Sequence, residues 1–186
     1  MLSTKIKEAT KEAHQQLEKK VIFKLKGIRN NADYADLLKY FYAYFNTIEQ
    51  VIKPYLTEQV LPDYAMRRNS GYLKQDIKEL GGSVSELPYV QAPQIGSTIE
   101  ALGALYVMEG SIMGGSIIVQ MLAKYGVTKG TSFFSGYGES TGEMWGKFIT
   151  VLNSEAKDEK QEILAIKSAN TTFSNFGKAF GEVEVA

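Results

Sequence analysis

The chain's only histidine, His14, lies in the N-terminal stretch 8–18, and the chain contains no cysteine. His14 is therefore the single ordinary candidate for holding a borderline metal through a ring nitrogen, because no thiolate is available. The apolar side chains around His14 recur at helical spacing, which predicts a helix. A histidine at the edge of a helical stripe is also typical of an ordinary boundary residue, so the spacing alone leaves both interpretations open.

The predicted helix places His14 on the boundary between a charged face and an apolar face. At about 100° per residue, Lys7, Lys11 and Glu18 lie within about 60° of His14 on one side, and Thr10 lies on the other side. A flat ligand with an apolar body and anionic edges suits such a boundary, with its metal on the imidazole and its acids near the lysines. Glu18, one turn beyond His14, is placed to orient the imidazole through the second ring nitrogen.

A second candidate surface lies on a helical pattern over residues 97–125, which contains Gly110, Gly114 and Gly115. Each glycine inside a helix costs about 1 kcal/mol relative to alanine, so three of them need a compensating reason. Gly110 and Gly114 are four residues apart and share one face, which they leave without side chains. The bare face allows either the close packing of two helices or the close approach of a flat ligand.

The N-terminal run Lys7-Glu-Ala-Thr-Lys-Glu-Ala-His14, followed by Glu18, resembles the proximal helix of the haem oxygenase family. The resemblance implies that His14 is the axial ligand of haem iron and that Glu18 supports the imidazole. It also implies that a lysine one or two turns earlier, Lys11 or Lys7, faces a haem propionate, with Thr10 beside the haem. For a second basic contact to the propionates, Lys147 and Lys11 are the candidates.

A resemblance to the distal helix of the same family, especially to its bacterial members, is carried by Tyr106-Val-Met-Glu-Gly110-Ser-Ile-Met-Gly114-Gly115. It implies that Gly110, Gly114 and Gly115 contact haem and that Tyr106 contacts a propionate. Ser111 occupies the position where the animal enzymes have an aspartate that organises water. We therefore expect a catalytic face of Gly110, Ser111 and Gly114, with the proton-supplying water held by Ser111 and nearby backbone carbonyls.

The resemblance implies an enzyme that cleaves haem to biliverdin, carbon monoxide and iron, using dioxygen, with haem as both substrate and cofactor. The chain has no glycine-rich phosphate-binding loop after a strand, so electrons must come from a separate donor. A ferredoxin, a flavodoxin or an NAD(P)H-dependent reductase would serve. Two alternatives remain open: a protein that stores or delivers haem without oxidising it, and a helical scaffold that binds another small molecule or a protein.

The bulk composition is that of a globular protein, with 186 residues of which 44% are apolar. This length predicts one domain over residues 1–186. Basic and acidic residues number 21 each, which argues against broad binding to nucleic acid. The N-terminus lacks the apolar core of a signal peptide, and no apolar run reaches the roughly 18 residues that cross a membrane. We therefore expect a cytoplasmic protein without a membrane segment.

The hydrophobic periodicity predicts an all-α fold, since no segment alternates apolar and polar residues over the length of a strand. The resemblance implies that haem lies between the N-terminal proximal helix and the glycine-rich distal helix. The predicted helices run from Ser3 or Thr4 to about Lys20, from Asp33 to near Pro54, over 72–80 with Ser70 as cap, over 97–125, through 145–152, and from about Asp158 to about Phe180.

Overall fold

The computed structural model describes residues 1–182, which form eight α-helices and no β-strand. The all-α prediction is confirmed, and the last four residues of the predicted domain 1–186 lie outside the described residues. Three short 3-10 turns, Lys53–Tyr55, Tyr64–Met66 and Gly138–Ser140, lie in the connections. The helices are α1 (Leu2–Ala9), α2 (Lys11–Lys26), α3 (Asn31–Ile52), α4 (Ser70–Glu79), α5 (Thr98–Met113), α6 (Gly115–Lys124), α7 (Thr141–Glu155) and α8 (Glu159–Ala179).

The first predicted helix is two helices, α1 and α2, and it ends at Lys26 instead of at about Lys20. The break falls at Thr10, whose hydroxyl donates to the carbonyl oxygen of Ile6 at 2.7 Å. A threonine hydroxyl bonded to the carbonyl four residues earlier favours bending of a helix, although Thr47 and Thr172 make the same bond inside unbroken helices. The N–H of His14 still donates to the Thr10 carbonyl at 2.9 Å, so the helix resumes directly after it.

The long helix predicted over 97–125 is likewise divided, because α5 and α6 meet at Gly114 with a bend of 41°. Ser97 caps α5 as predicted, with its hydroxyl accepting from the N–H of Glu100 at 3.4 Å. At the start of α6, a Cβ added to Gly115 would lie 2.1 Å from the carbonyl oxygen of Phe134. The chain turns at this place because α6 packs directly on the backbone of the 130–140 segment.

Two helix caps differ from the predicted ones. Asn30 caps α3 in place of Asp33, and its side-chain oxygen accepts from the Asp33 N–H at 2.9 Å. Asn69 caps α4 in place of Ser70, and its side-chain oxygen accepts from an N–H in the first turn at 2.8 Å. Asparagine, aspartate and serine all satisfy the free amides at a helix start, so the sequence offered equivalent capping residues side by side.

The closest helix contact in the core joins α5 to α8. A Cβ added to Gly103 of α5 would lie 2.4 Å from the carbonyl oxygen of Ala165 in α8, so only glycine fits there. The hydroxyl of Ser168 donates to the Glu100 carbonyl at 2.7 Å across the same contact. Because α8 also packs against α1 and α2, one helix supports both of the predicted haem-binding segments.

Within residues 1–182, no single helix is long and apolar enough to cross a bilayer, although α5 and α6 taken as a bent pair reach the necessary length and composition.

The α5–α8 contact predicts opposite effects for two glycine-to-alanine changes. Gly103→Ala should lower the free energy of unfolding by about 1–3 kcal/mol, because α5 and α8 must move apart to admit the methyl group. Gly146→Ala in α7, where a Cβ would meet nothing within 4 Å, should raise it by up to about 1 kcal/mol through helix propensity. Urea unfolding of the two variants measures both, and equal effects would contradict this description of the core.

Candidate functional site

The imidazole of His14 projects from α2 with 54% of the side chain exposed, and two contacts hold it. Its Nε2 atom lies 3.2 Å from Oε1 of Glu18. The ring of Phe173, on α8, stacks against the imidazole with centroids 5.2 Å apart and planes inclined by 23°. The carboxylate of Glu18 therefore engages Nε2, and Nδ1 is the nitrogen left for a metal. Histidine ligands are commonly held in this way, with one nitrogen on a carboxylate and the other on the metal.

The two candidate segments meet where Thr10 contacts Tyr106. Thr10 is buried at the break between α1 and α2, and Tyr106 is half-buried on α5. Burial raises the pKa of Tyr106, and the neighbouring Thr10 side chain opposes that rise. His14 follows this contact by four residues along α2, and Gly110 follows it by four residues along α5. The predicted proximal and distal segments therefore meet one helical turn before His14 on one helix and one turn before Gly110 on the other.

The distal glycines are of two kinds. A Cβ on Gly110 would lie 3.9 Å from Cη2 of Trp145, and one on Gly114 would lie 3.9 Å from the Ser111 carbonyl oxygen. Both are ordinary contact distances, so helix packing does not require glycine at either position. Gly115 differs, because its close approach to the 130–140 backbone already accounts for the missing side chain. Gly110 and Gly114 therefore form an open face, whereas haem contact by Gly115 stays a prediction.

The hydroxyl of Ser111 donates to the carbonyl oxygen of Met108 at 2.6 Å. Its hydrogen is committed to the helix backbone, which leaves the oxygen as an acceptor. In this conformation Ser111 can accept a hydrogen bond from water beside the glycine face but does not itself offer a proton.

The predicted propionate-binding lysines are exposed. Among residues 1–182, neither Lys7 nor Lys11 forms an ion pair or a side-chain hydrogen bond. Lys147, by contrast, pairs with Glu143 one turn earlier on α7 at 2.8 Å. An anionic ligand would therefore meet two uncommitted cations at Lys7 and Lys11, whereas Lys147 would first have to exchange partners.

Comparison with known proteins decides the family. The family model described as heme oxygenase matches residues 1–182. This chain belongs to the haem oxygenase family. Heme oxygenase PigA of Pseudomonas aeruginosa is 25% identical over 177 residues, covering 94% of this chain and 89% of that protein. A heme oxygenase of Xanthomonas campestris pv. campestris is 28% identical over 145 residues, covering 77% of this chain and 86% of that protein.

The fold has a close counterpart among solved structures. The crystal structures of a heme oxygenase from Neisseria meningitidis in its NO- and CO-bound forms match this fold with a TM-score of 0.78 and 22% sequence identity. The alignment spans 100% of this chain and 95% of the Neisseria chain. At that identity the match bears on the fold, and it confirms the predicted haem oxygenase architecture.

This haem oxygenase also has a buried ion pair beside the glycine face that sequence reasoning missed. Glu109, next to Gly110, accepts from Nη1 of Arg67 at 2.7 Å, and the two side chains are 2% and 1% exposed. Arg67 also donates to both carboxylate oxygens of Asp63, at 2.8 and 2.9 Å, and to the Met144 carbonyl at 3.0 Å. All three guanidinium nitrogens thus donate hydrogen bonds, which join α5, α7 and the 63–67 segment.

The charges of this network act in opposite senses on its two partners. Burial works against the charged form of Arg67, but the hydrogen bonds and charges of Asp63 and Glu109 prevail and raise its pKa. Burial raises the pKa of Glu109, while the Arg67 charge and the Tyr137 hydroxyl oppose that rise. We infer that Arg67 stays charged and holds Glu109 in place as its buried counter-ion.

The same network positions Trp145, the only tryptophan in the chain. Its neighbour Met144 is anchored through the carbonyl bonded to Arg67. The indole packs against Tyr106 with ring centroids 5.5 Å apart and lies over Gly110. The indole of Trp145 therefore forms an aromatic wall beside the open glycine face. A single tryptophan in the sequence is a reason to suspect a special role, but the sequence does not show where its side chain lies.

Removing the charge of Arg67 should leave Glu109 buried without its counter-ion. Arg67→Met should lower the free energy of unfolding by about 3–5 kcal/mol, because an unpaired carboxylate stays buried. Adding Glu109→Gln to that variant should recover much of the loss. Urea unfolding followed by Trp145 fluorescence measures both, with Arg29→Met as the control for an exposed arginine. Equal losses in the single and double variants would show that the ion pair is not the source of the effect.

Proposed function

We propose that this haem oxygenase holds haem between His14 and the open face of Gly110 and Gly114, and that the ring is cleaved there. The family's reaction converts haem to biliverdin, carbon monoxide and iron with dioxygen as co-substrate. The proposal is carried by the only histidine in the chain, whose ring has one free nitrogen and a carboxylate on the other. That ring lies one turn beyond the contact joining the proximal and distal segments.

The residues around this site fit haem in shape and in charge. Gly110 and Gly114 provide a flat surface, with Tyr106 and Trp145 as its aromatic edge. Lys7 and Lys11 offer exposed cations for the two carboxylates of the ligand. Bound haem would supply the iron at which dioxygen is activated, and the His14 imidazole would hold that iron.

The protein's own groups then have distinct tasks. Glu18 accepts the hydrogen of the second imidazole nitrogen, which makes the ring a better electron donor to a metal. The missing side chains at Gly110 and Gly114 leave space opposite His14. Ser111 accepts a hydrogen bond from water, because its own hydrogen is bonded to Met108. We therefore assign proton delivery to a water that Ser111 holds, and not to the serine hydroxyl.

Electrons come from a separate reductase, as the family requires. A ferredoxin, a flavodoxin or an NAD(P)H-dependent reductase is our proposal for the donor, and reconstitution with each distinguishes them. The cytoplasmic location inferred from the N-terminal sequence stays a prediction.

Turnover is tested with haem and ascorbate in air. The Soret band should fall while biliverdin absorption grows, and catalase should not suppress the change, because the oxidant forms on the bound haem. The same protein under nitrogen is the control. Haem that stays intact, or that bleaches only without catalase, would favour the alternative of a haem-storing or haem-delivering protein.

The assignment of His14 as iron ligand is tested by truncation. His14→Ala should remove the native haem spectrum, and added imidazole should restore it, since the small molecule can occupy the vacated position. Glu18→Ala should retain haem but change its spectrum and turnover, because Glu18 only orients the ligand. A native spectrum in His14→Ala, or complete haem loss in Glu18→Ala, would contradict these roles.

The open glycine face is tested by refilling it. Gly114→Leu should reduce turnover by about tenfold or more, equivalent to at least 1.4 kcal/mol of barrier, since the branched side chain occupies the space opposite His14. Stability should change little, because Gly114 lies at the junction of α5 and α6 and its φ of −86° is accessible to leucine. Gly146→Leu, on the exposed part of α7, is the matched control. Full activity in Gly114→Leu would contradict the claim that turnover needs the open space at Gly114.

A further inference from the structure

Three residues on one face of α8 contact the His14-bearing segment at regular intervals. Asn170 donates to the last carbonyl oxygen of α1 at 3.2 Å. Phe173 stacks on the imidazole of His14. The carbonyl of Gly177 accepts from Nζ of Lys20 at 2.9 Å. Positions 170, 173 and 177 have helical spacing, so a single stripe of α8 brackets the imidazole from before it to beyond it.

The two stacked rings differ in how firmly they are held. Phe173 is 6% exposed, and α8 is locked to α5 through the close contact at Gly103. His14 is half exposed and is otherwise held only by Glu18, which is itself 55% exposed. An exposed carboxylate is a weak constraint on its partner. The buried phenyl ring is therefore the fixed surface, and the imidazole takes its orientation from it.

Glu18 and Phe173 constrain different features of the imidazole. The Glu18 carboxylate engages one imidazole nitrogen, so it selects which edge of the imidazole faces Glu18. The phenyl ring, inclined by only 23°, selects the plane in which the imidazole lies. Together they determine the direction of the free nitrogen, which neither achieves alone.

We propose that Phe173 is a positioning residue for His14: its ring sets the plane of the imidazole and thereby aims the free nitrogen at the iron of haem. This inference rests on the proposed role of His14 as the axial ligand. A leucine at position 173 would fill much of the same volume but would lack the flat face that orients a ring.

The stacking is tested first without haem. His14 is the only histidine, so its imidazole gives one set of NMR signals. Ring current from Phe173 should shift those protons upfield, and Phe173→Leu should remove the shift while Phe173→Tyr keeps it. Phe176→Leu, one turn further along α8 in the core, is the matched control and should leave the shift in place. Unshifted imidazole protons in the wild type would overturn the inference without needing any variant to fold.

The consequence for the ligand is tested in the haem complex. The iron–histidine stretching band of the ferrous protein should move or broaden in Phe173→Leu, return in Phe173→Tyr and stay unchanged in Phe176→Leu. An unchanged band in Phe173→Leu would overturn the positioning role. If instead His14→Ala keeps the native haem spectrum, the proposed ligand fails, while the NMR result still reports separately on the stacking.

Discussion

The close contact between α5 and α8 is the constraint on which the rest of the structure depends. At Gly103 the two backbones approach so closely that a single methyl group would collide with the Ala165 carbonyl. This contact fixes α8 relative to the glycine helix, and α8 in turn carries the segment that bears His14. The separation of the two surfaces proposed to enclose haem therefore follows mainly from backbone packing behind them, to which the contact between Thr10 and Tyr106 adds.

The glycines of α5 and α6 lack side chains for two different physical reasons. Gly103 and Gly115 are small because another backbone occupies the space where a side chain would go. Gly110 and Gly114 are small although nothing in the described structure competes for that space. Since glycine inside a helix lowers helix stability, Gly110 needs a reason outside packing, and a flat ligand against the helix supplies it. Gly114, at the end of α5, extends the same open surface. The Arg67–Glu109 pair lies on the buried side of this stretch and joins it to the 63–67 segment.

The parts of this architecture that depend on local sequence could be predicted. Hydrophobic spacing identified the helices, and the four-residue separation of His14 and Glu18 placed the two side chains together. The break at Thr10 was not predicted, because a threonine in the sequence does not mark a break: Thr47 and Thr172 make the same hydroxyl bond within unbroken helices. The Arg67–Glu109 pair joins residues 42 positions apart, and Arg67 follows a 3-10 turn without periodicity.

The stacking of Phe173 on His14 was hidden for a similar reason, since a phenylalanine at helical spacing on α8 is indistinguishable from a core residue until the tertiary structure is known. What sequence could supply was the chemistry of single residues and their spacing within one helix. What it could not supply was which distant helix lies behind each of them, and that determines how the site is held.

The central claim is that haem iron sits on His14 with its other side facing Gly110 and Gly114. A crystal structure of the ferric haem complex, with iron located by anomalous diffraction at its absorption edge, tests this most directly. The account predicts the iron within bonding distance of the free imidazole nitrogen, with the open axial position over the glycine face. Iron bound instead by Met108, Met113 or a tyrosine, or haem lying away from the glycine face, would contradict it.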